Sequence, residues 1–238
     1  MGLSDGAHVD IFRRSNPNIS HEQVLRTHEI SNERALNMMG ELEKDLEKIM
    51  ENKLPSKDVK FKIVFLLDDF SGSGLSYLKK EKSQYKGKIY NFYNAIYKEN
   101  KRISKMFEFS NLEVCLILYV ASNEAKRYLK QIGEELFNKI NVKFHIIIIH
   151  LIPDNFKVNE IKEKLFLNIM KKYYDSNVID SHFEKGKHNK PYLGFNEGGF
   201  PLVLSHNTPN NSICLLWFYE DMKYRGLFPR ITRHRDEL

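Results

Sequence analysis

Residues 63–78 constrain this chain more than any other stretch. The branched apolar run Ile63-Val64-Phe65-Leu66-Leu67 is broken by two consecutive acids, Asp68 and Asp69, and then by Phe70-Ser71-Gly72-Ser73-Gly74-Leu75-Ser76. A short apolar run without alternation fits a strand buried on both faces. Gly72 and Gly74 let the backbone turn sharply and approach a ligand closely. Ser71, Ser73 and Ser76 supply hydroxyls and a cap for a helix expected from about residue 75 into the lysines at 79–82. Backbone N–H groups gathered at such a helix start suit a phosphate. The paired carboxylates suit sugar hydroxyls or a divalent cation. Two other strand-end sites are excluded. A receiver domain needs a phosphoacceptor Asp at a later strand end, but the later ends read Tyr119-Val120-Ala121-Ser122 and His150-Leu151-Ile152. A Walker loop needs Gly-Lys-Ser/Thr, which is absent. The stretch therefore reads as a sugar-phosphate loop; the plainer alternative is a pair of acids that merely caps the turn.

The remaining pattern alternates strands with amphipathic helices. Strands are predicted at 61–67, 112–120 and 142–152, with a short one at 202–205. Helices are predicted at 20–27 behind the capping box Ser20-x-x-Gln23, at 31–52, at 124–139 behind Ser122-Asn123, and at 158–174. The apolar stripes are Leu36, Met39, Leu42, Leu46, Ile49 and Met50 in the second of these, Leu129, Ile132 and Leu136 in the third, and Ile161, Leu165, Ile169 and Met170 in the last. Val9, Ile11 and Phe12 suggest a short strand or helix edge. Residues 54–57 form a polar loop, and 85–109 reads as a partly helical insertion or hood. Residues 176–199 read as an irregular surface segment, and Thr208-Pro209 as a helix start. This order predicts an α/β fold with a central, mostly parallel sheet and flanking helices, in a single domain over 1–238.

Composition narrows the partners. The chain has 37 Lys and Arg against 31 Asp and Glu, a net charge of +6, and 42% hydrophobic residues. That supports a real core and an anionic ligand. No strongly basic tract is present, so nucleic acid is not favoured as a partner. Cys115 and Cys214 sit in apolar surroundings and read as small buried hydrophobes. There is no Cys-x-x-Cys pair, and His182 and His188 lack a metal-ligand spacing. Trp217 and Phe218 read as core. The longest apolar run, near 145–152, is too short to span a bilayer, so no membrane partner is expected. With no signal peptide recognised, the terminal Arg-Asp-Glu-Leu is read as chance and the location as cytoplasmic.

The pattern of apolar residues, Asp68-Asp69, three residues, Ser73-Gly74, one residue and Ser76 resembles the phosphoribosyl-diphosphate (PRPP) loop of type I phosphoribosyltransferases. Three further stretches narrow the resemblance: Ser4-Asp5-Gly6-Ala7, Ile11-Phe12-Arg13-Arg14-Ser15-Asn16, and Ser205-His206-Asn207-Thr208-Pro209-Asn210-Asn211-Ser212 before Leu215-Leu216-Trp217. With them the chain resembles the phosphoribosyltransferase-like domains of bacterial conflict, or anti-phage, systems. The resemblance implies that Asp68 and Asp69 meet the ribose hydroxyls and carry the catalytic role. Ser71, Gly72, Ser73, Gly74 and Ser76 would wrap the 5′-phosphate. Ser4, Asp5, Gly6, Arg13, Arg14, His206, Asn207, Asn210 and Asn211 become candidates for pyrophosphate or base contacts. It also implies Mg²⁺ held with the ligand, with Asp68 or Asp69 as a protein donor, and a defence-system partner protein. The implied activity is glycosyl transfer from a phosphoribosyl compound; the alternative is an inactive nucleotide-sensing domain. Little sequence precedes Gly2 where that family carries an earlier strand, so an incomplete N-terminal part is expected.

Overall fold

A computed structural model of the chain describes residues 1–52, 55, 59–99, 101–180, 183–220 and 222–230. The loop expected at 54–57, His182, and the tail with Arg233, Arg235 and the final Arg-Asp-Glu-Leu fall wholly or partly outside them. The chain divides into two compact units, 1–151 and 152–238, each with its own apolar cluster.

The first unit runs through α1 (Val9–Ser15), α2 (Asn32–Met50), β1 (Ile63–Ser71), β2 (Lys79–Glu81), β3 (Gln84–Lys86), α3 (Lys88–Asn94), α4 (Lys101–Ser104), β4 (Glu113–Ser122), α5 (Asn123–Asn138) and β5 (Lys143–Ile152). The main sheet has the order β1-β4-β5. β1 and β4 are parallel, with Leu66 opposite Leu116, Asp68 opposite Leu118 and Ser71 opposite Ala121. The two strands thus end side by side, and α5 forms the crossover to β5. This is the α/β sheet with flanking helices that the alternation predicts.

Ser122 starts α5 by accepting the Ala125 N–H at 3.0 Å. The helix buries the expected face of Leu129, Ile132 and Leu136. Gly133 lets it approach β5 closely, since a Cβ there would lie 2.2 Å from the Phe144 ring. Phe144 in turn stacks on Phe137 with ring centroids 5.2 Å apart. On the inner face of the sheet, Val64, Leu66, Val114, Leu116 and Leu118 are buried. They share one core with Ile89, Phe92, Tyr93, Ile96 and Met106. The segment 85–109 is therefore core-forming, not a hood, because its aromatic residues fill the space over the sheet.

Several sequence expectations change. β1 is not buried on both faces along its length: Ile63 and Phe65 are exposed, as are Ile147, Ile149 and Leu151 on β5. Leu67 is the apolar residue of β1 that is covered from outside, packing with Ala7 and Val9. The helix expected from residue 75 is a turn followed by the antiparallel hairpin β2–β3. Tyr85 points in while Gln84 and Lys86 point out, and Lys82 takes the positive φ of 55° that closes the turn. α2 buries Ala35 and Met38, but Leu36, Ile49 and Met50 are exposed, so the expected stripe is only partly covered. Residues 20–27 hold only a single 3₁₀ turn, and Ser20 makes no side-chain cap. Residues 9–15 are helical.

The second unit contains α6 (Lys164–Lys172) and the single turn α7 (Cys214–Trp217). α6 is shorter than its apolar stripe suggested. It buries Leu167 and Met170, while Ile161 and Leu165 are about 80% exposed. The segment 176–199 is irregular as expected and exposes Glu184, Lys185, Lys187, His188 and Asn189, but its 3₁₀ turns also bury Val178, Phe183, Leu193 and Phe195. Residues 202–205 form no strand, and Phe200 makes an isolated bridge to Ser212 instead. Thr208 opens no helix; its hydroxyl donates to the Phe228 carbonyl at 3.2 Å. Trp217 and Phe218 are buried as expected, with the indole N–H donating to the Ser212 carbonyl at 2.8 Å. Both cysteines are buried and free. No helix among the described residues is long and apolar enough to cross a membrane.

Candidate functional site

β1 carries both carboxylates before it ends, so the strand itself fixes them at the C-terminal edge of the sheet, where ligands of open α/β sheets bind. Strand alternation then gives them opposite directions. Asp68 points inward and is fully buried. Its Oδ2 accepts from Lys88 Nζ at 2.9 Å, and its Oδ1 accepts from the Ser4 hydroxyl and from the Asp69 N–H at 3.0 Å. Burial pushes the Asp68 carboxyl above the usual range, and Lys88 and Ser4 pull against that shift. Asp69 is half-buried. Its carboxylate accepts the Phe70 N–H at 2.7 Å and lies against Gly6, where a Cβ would come 2.4 Å from Oδ2.

The N-terminal segment reaches this edge through the backbone. The Leu67 N–H donates to the Met1 carbonyl at 2.8 Å, and the Leu3 N–H donates to the Leu67 carbonyl at 2.9 Å. Gly2 pairs with Leu67 in parallel. Residues 4–7 then turn over the acids, and the Tyr119 hydroxyl holds the Ala7 carbonyl at 2.8 Å. Ser4, Gly6, Asp68 and Asp69 are thus brought together.

The loop after the acids is closed on itself. Residues 71–74 are buried, and Ser76 is exposed. Ser71 Oγ accepts the Gly74 N–H at 3.1 Å and Ser73 Oγ accepts the Leu75 N–H at 3.4 Å. The Tyr77 and Leu78 N–H groups both turn back to the Gly74 carbonyl. Gly74 has φ 81°, and a Cβ there would sit 2.8 Å from Leu129 Cγ. Ser122 ties the loop to β4 as well, its hydroxyl donating to the Gly72 carbonyl at 2.6 Å. Beneath the loop, the Tyr77 hydroxyl donates to the Phe70 carbonyl at 2.7 Å. Burial, and then the two aspartates, push the Tyr77 phenol well up; the same causes raise Tyr119.

Sequence reasoning missed four participants. Lys88 arrives from the N-terminus of α3, returned by the hairpin, and lies 5.1 Å from the Tyr77 ring. His28 has a buried Nδ1 without a hydrogen-bond partner among the described residues. Burial holds its pKa down, and Lys88 adds to this against Glu29. Tyr77 and Tyr119 complete the set. Nothing in the spacing marks these four; Lys88 is one lysine in a Lys-rich stretch.

The remaining candidates sit on other elements. Arg13 and Arg14 are on α1; Arg14 is paired with Asp10 at 2.6 Å, and Arg13 Nη2 donates to His21 Nδ1 at 2.6 Å. His206, Asn207, Asn210 and Asn211 belong to the second unit. His206 and Asn207 are exposed, with Leu204 and Asn207 bonded through their backbones. The Asn210 carbonyl accepts from the Phe195 N–H at 2.6 Å, and the Asn211 side-chain amide donates to the Phe195 carbonyl at 2.9 Å. Both asparagines therefore hold the irregular segment in place. Among the described residues, no three His, Cys, Asp or Glu side chains are grouped to hold a metal.

A parallel sheet with an Asp-Asp pair near the end of β1, followed by a Ser/Gly loop, fits a phosphoribosyltransferase-like domain. The PRTase-CE family model matches residues 9–230, and the chain belongs to that family. No curated protein and no solved structure matches it.

Proposed function

We propose that this chain binds a phosphoribosyl compound, PRPP or a nucleotide, at the C-terminal end of β1, and transfers or hydrolyses it as a cytoplasmic effector of bacterial anti-phage defence. The observation that carries the reading is the convergence of residues 4–7 on Asp69 beside the 71–76 loop. That arrangement offers a half-buried carboxylate for the ribose, a Ser/Gly loop with the exposed Ser76 for the 5′-phosphate, and a second turn for the pyrophosphate. Asp69, rather than the enclosed Asp68, is the group that meets the ribose. The donor chemistry fits Mg²⁺, which prefers one or two carboxylates together with ligand phosphate oxygens. Asp69 is the carboxylate that would share it, and when bound the ion would neutralise charge on departing pyrophosphate. The chain's own part is to hold ribose and phosphate still while the C1 centre becomes oxocarbenium-like.

The second reading, an inactive nucleotide sensor that signals to a partner protein, is favoured by one observation: Asp68 is already saturated by Lys88, Ser4 and a backbone amide. Phosphorus NMR of the protein with Mg²⁺ and PRPP separates the two. Release of pyrophosphate in excess of a protein-free control, with water or with any of a panel of nucleobases, is expected for the effector. Saturable binding without release would assign the chain to sensing.

A further inference from the structure

Two adjoining grooves lie beside α1, and neither is lined by the Asp68–Asp69 pair or by residues 71–76. One, of about 350 Å³, includes Arg13, Arg14, His21 and Arg26; the other, of about 460 Å³, includes Arg13, Arg26 and Arg34. They share Arg13, Val24 and Arg26, so the arginines at 13 and 26 stand at the junction. Across both linings there are four arginines (13, 14, 26 and 34) and two acids (Asp10 and Glu29). The charges are not all matched. Arg14 is taken up by Asp10 at 2.6 Å and Arg34 by Glu22 at 2.7 Å. Arg13 donates to a histidine nitrogen, His21 Nδ1, and Arg26 has no carboxylate partner among the described residues. Each groove is of a size that suits a small organic ligand. The guanidinium fork suits phosphate oxygens. Val9, Pro17, Val24 and Leu25 provide apolar walls, and no Phe, Tyr or Trp lines either groove.

We infer that this groove is a second anion site, one that takes a small molecule bearing two or more linked phosphates through Arg13 and Arg26. Its ligand is recognised by the phosphates and not by the base. The groove is also mechanically close to the acids: Gly6 abuts Asp69, and three residues later Val9 lines the groove. On its other side, Gly2 N–H donates to the Leu25 carbonyl at 3.0 Å while Gly2 pairs with Leu67 on β1.

The test is calorimetric titration of the full chain with inorganic tripolyphosphate, with ADP and with a short single-stranded RNA. Wild type, Arg13→Ala/Arg26→Ala, Arg13→Lys/Arg26→Lys and Asp69→Asn are compared. Both arginines are exposed, so the variants should fold; circular dichroism checks this. Tripolyphosphate, which has no ribose for Asp69 to meet, should bind comparably to wild type and to Asp69→Asn, and ADP, titrated into Asp69→Asn so that the β1 site contributes least, should bind there as well. Tripolyphosphate should bind at least tenfold more weakly to the double-alanine variant, with partial recovery in the double-lysine variant. Equal affinity in wild type and the double-alanine variant overturns the site, as does binding confined to the RNA. Loss in Asp69→Asn alone would place the phosphates at β1 and also overturn it, while leaving the phosphoribosyl reading standing.

Discussion

Lys88→Ala is expected to destabilise the protein by about 2–4 kcal/mol, because it leaves a buried carboxylate without its cation. The range sits below that for a fully buried pair because the Lys88 side chain is one-third exposed while Asp68 is enclosed, so water screens the lysine end. The loss should depend on pH. Asp68 already titrates above the usual carboxylate range in the folded protein, chiefly through burial. A raised folded value means that the group favours folding when protonated; that contribution is complete below the unfolded value and is lost as pH rises through the folded one. Removing Lys88 takes away an opposing influence and raises the folded value further. The deficit of Lys88→Ala should therefore be largest near neutrality and shrink in mild acid, where Asp68 is protonated in both proteins. Asp68→Asn in the Lys88→Ala background should recover part of the loss at neutral pH. Urea unfolding of the four proteins of this double-mutant cycle measures all of it. A deficit that is the same at neutral and acid pH would contradict the pairing.

Gly74→Val should be comparably severe, at about 2–5 kcal/mol. A β-branched residue at φ 81° carries about 1–2 kcal/mol of backbone strain, and overpacking a tight site adds about 1–3 kcal/mol. The added Cβ would sit 2.8 Å from Leu129 Cγ, and Leu129 is fully buried on α5. The helix and the loop would have to part, disturbing the Ser71 and Ser122 bonds that close the loop. Thermal unfolding should show a lowered midpoint. A Gly72→Ala control lies in the same loop but at a glycine without positive φ, so it should lose less; equal losses would indicate that the special geometry of Gly74 is not what matters.

These two residues mark what could be read from the chain. Gly74 and the acids were legible because a branched apolar strand, paired acids and a Ser/Gly turn are all local signals. Helix α5 was legible for the same reason: Ser122 caps it and Leu129, Ile132 and Leu136 repeat at helical spacing. Lys88 was not legible, since its position depends on the hairpin 79–86, whose two three-residue strands carry no apolar period to distinguish them from a helix. The contact of Ser4 with Asp68 spans 64 residues and is set by a backbone bridge between Gly2 and Leu67, which leaves no trace in spacing. In the second unit, Phe183 and Phe195 are buried by irregular turns, so no periodic reading finds that core. The stripe predicted over 158–174 misled in the opposite sense: Ile161 falls before α6 and Leu165 on it faces out.

Asp69 and the turn against it are expected to hold a phosphoribosyl ligand. Titration calorimetry with PRPP and Mg²⁺ on wild type, Asp69→Asn and Gly6→Ala tests this directly. Saturable binding to wild type is expected, weakened at least tenfold, or about 1.4 kcal/mol, in both variants. In Gly6→Ala the new methyl group would displace the Asp69 carboxylate, which would otherwise lie 2.4 Å from it. No binding to wild type, or the same affinity in all three proteins, would contradict the assignment of this strand end as the ligand site.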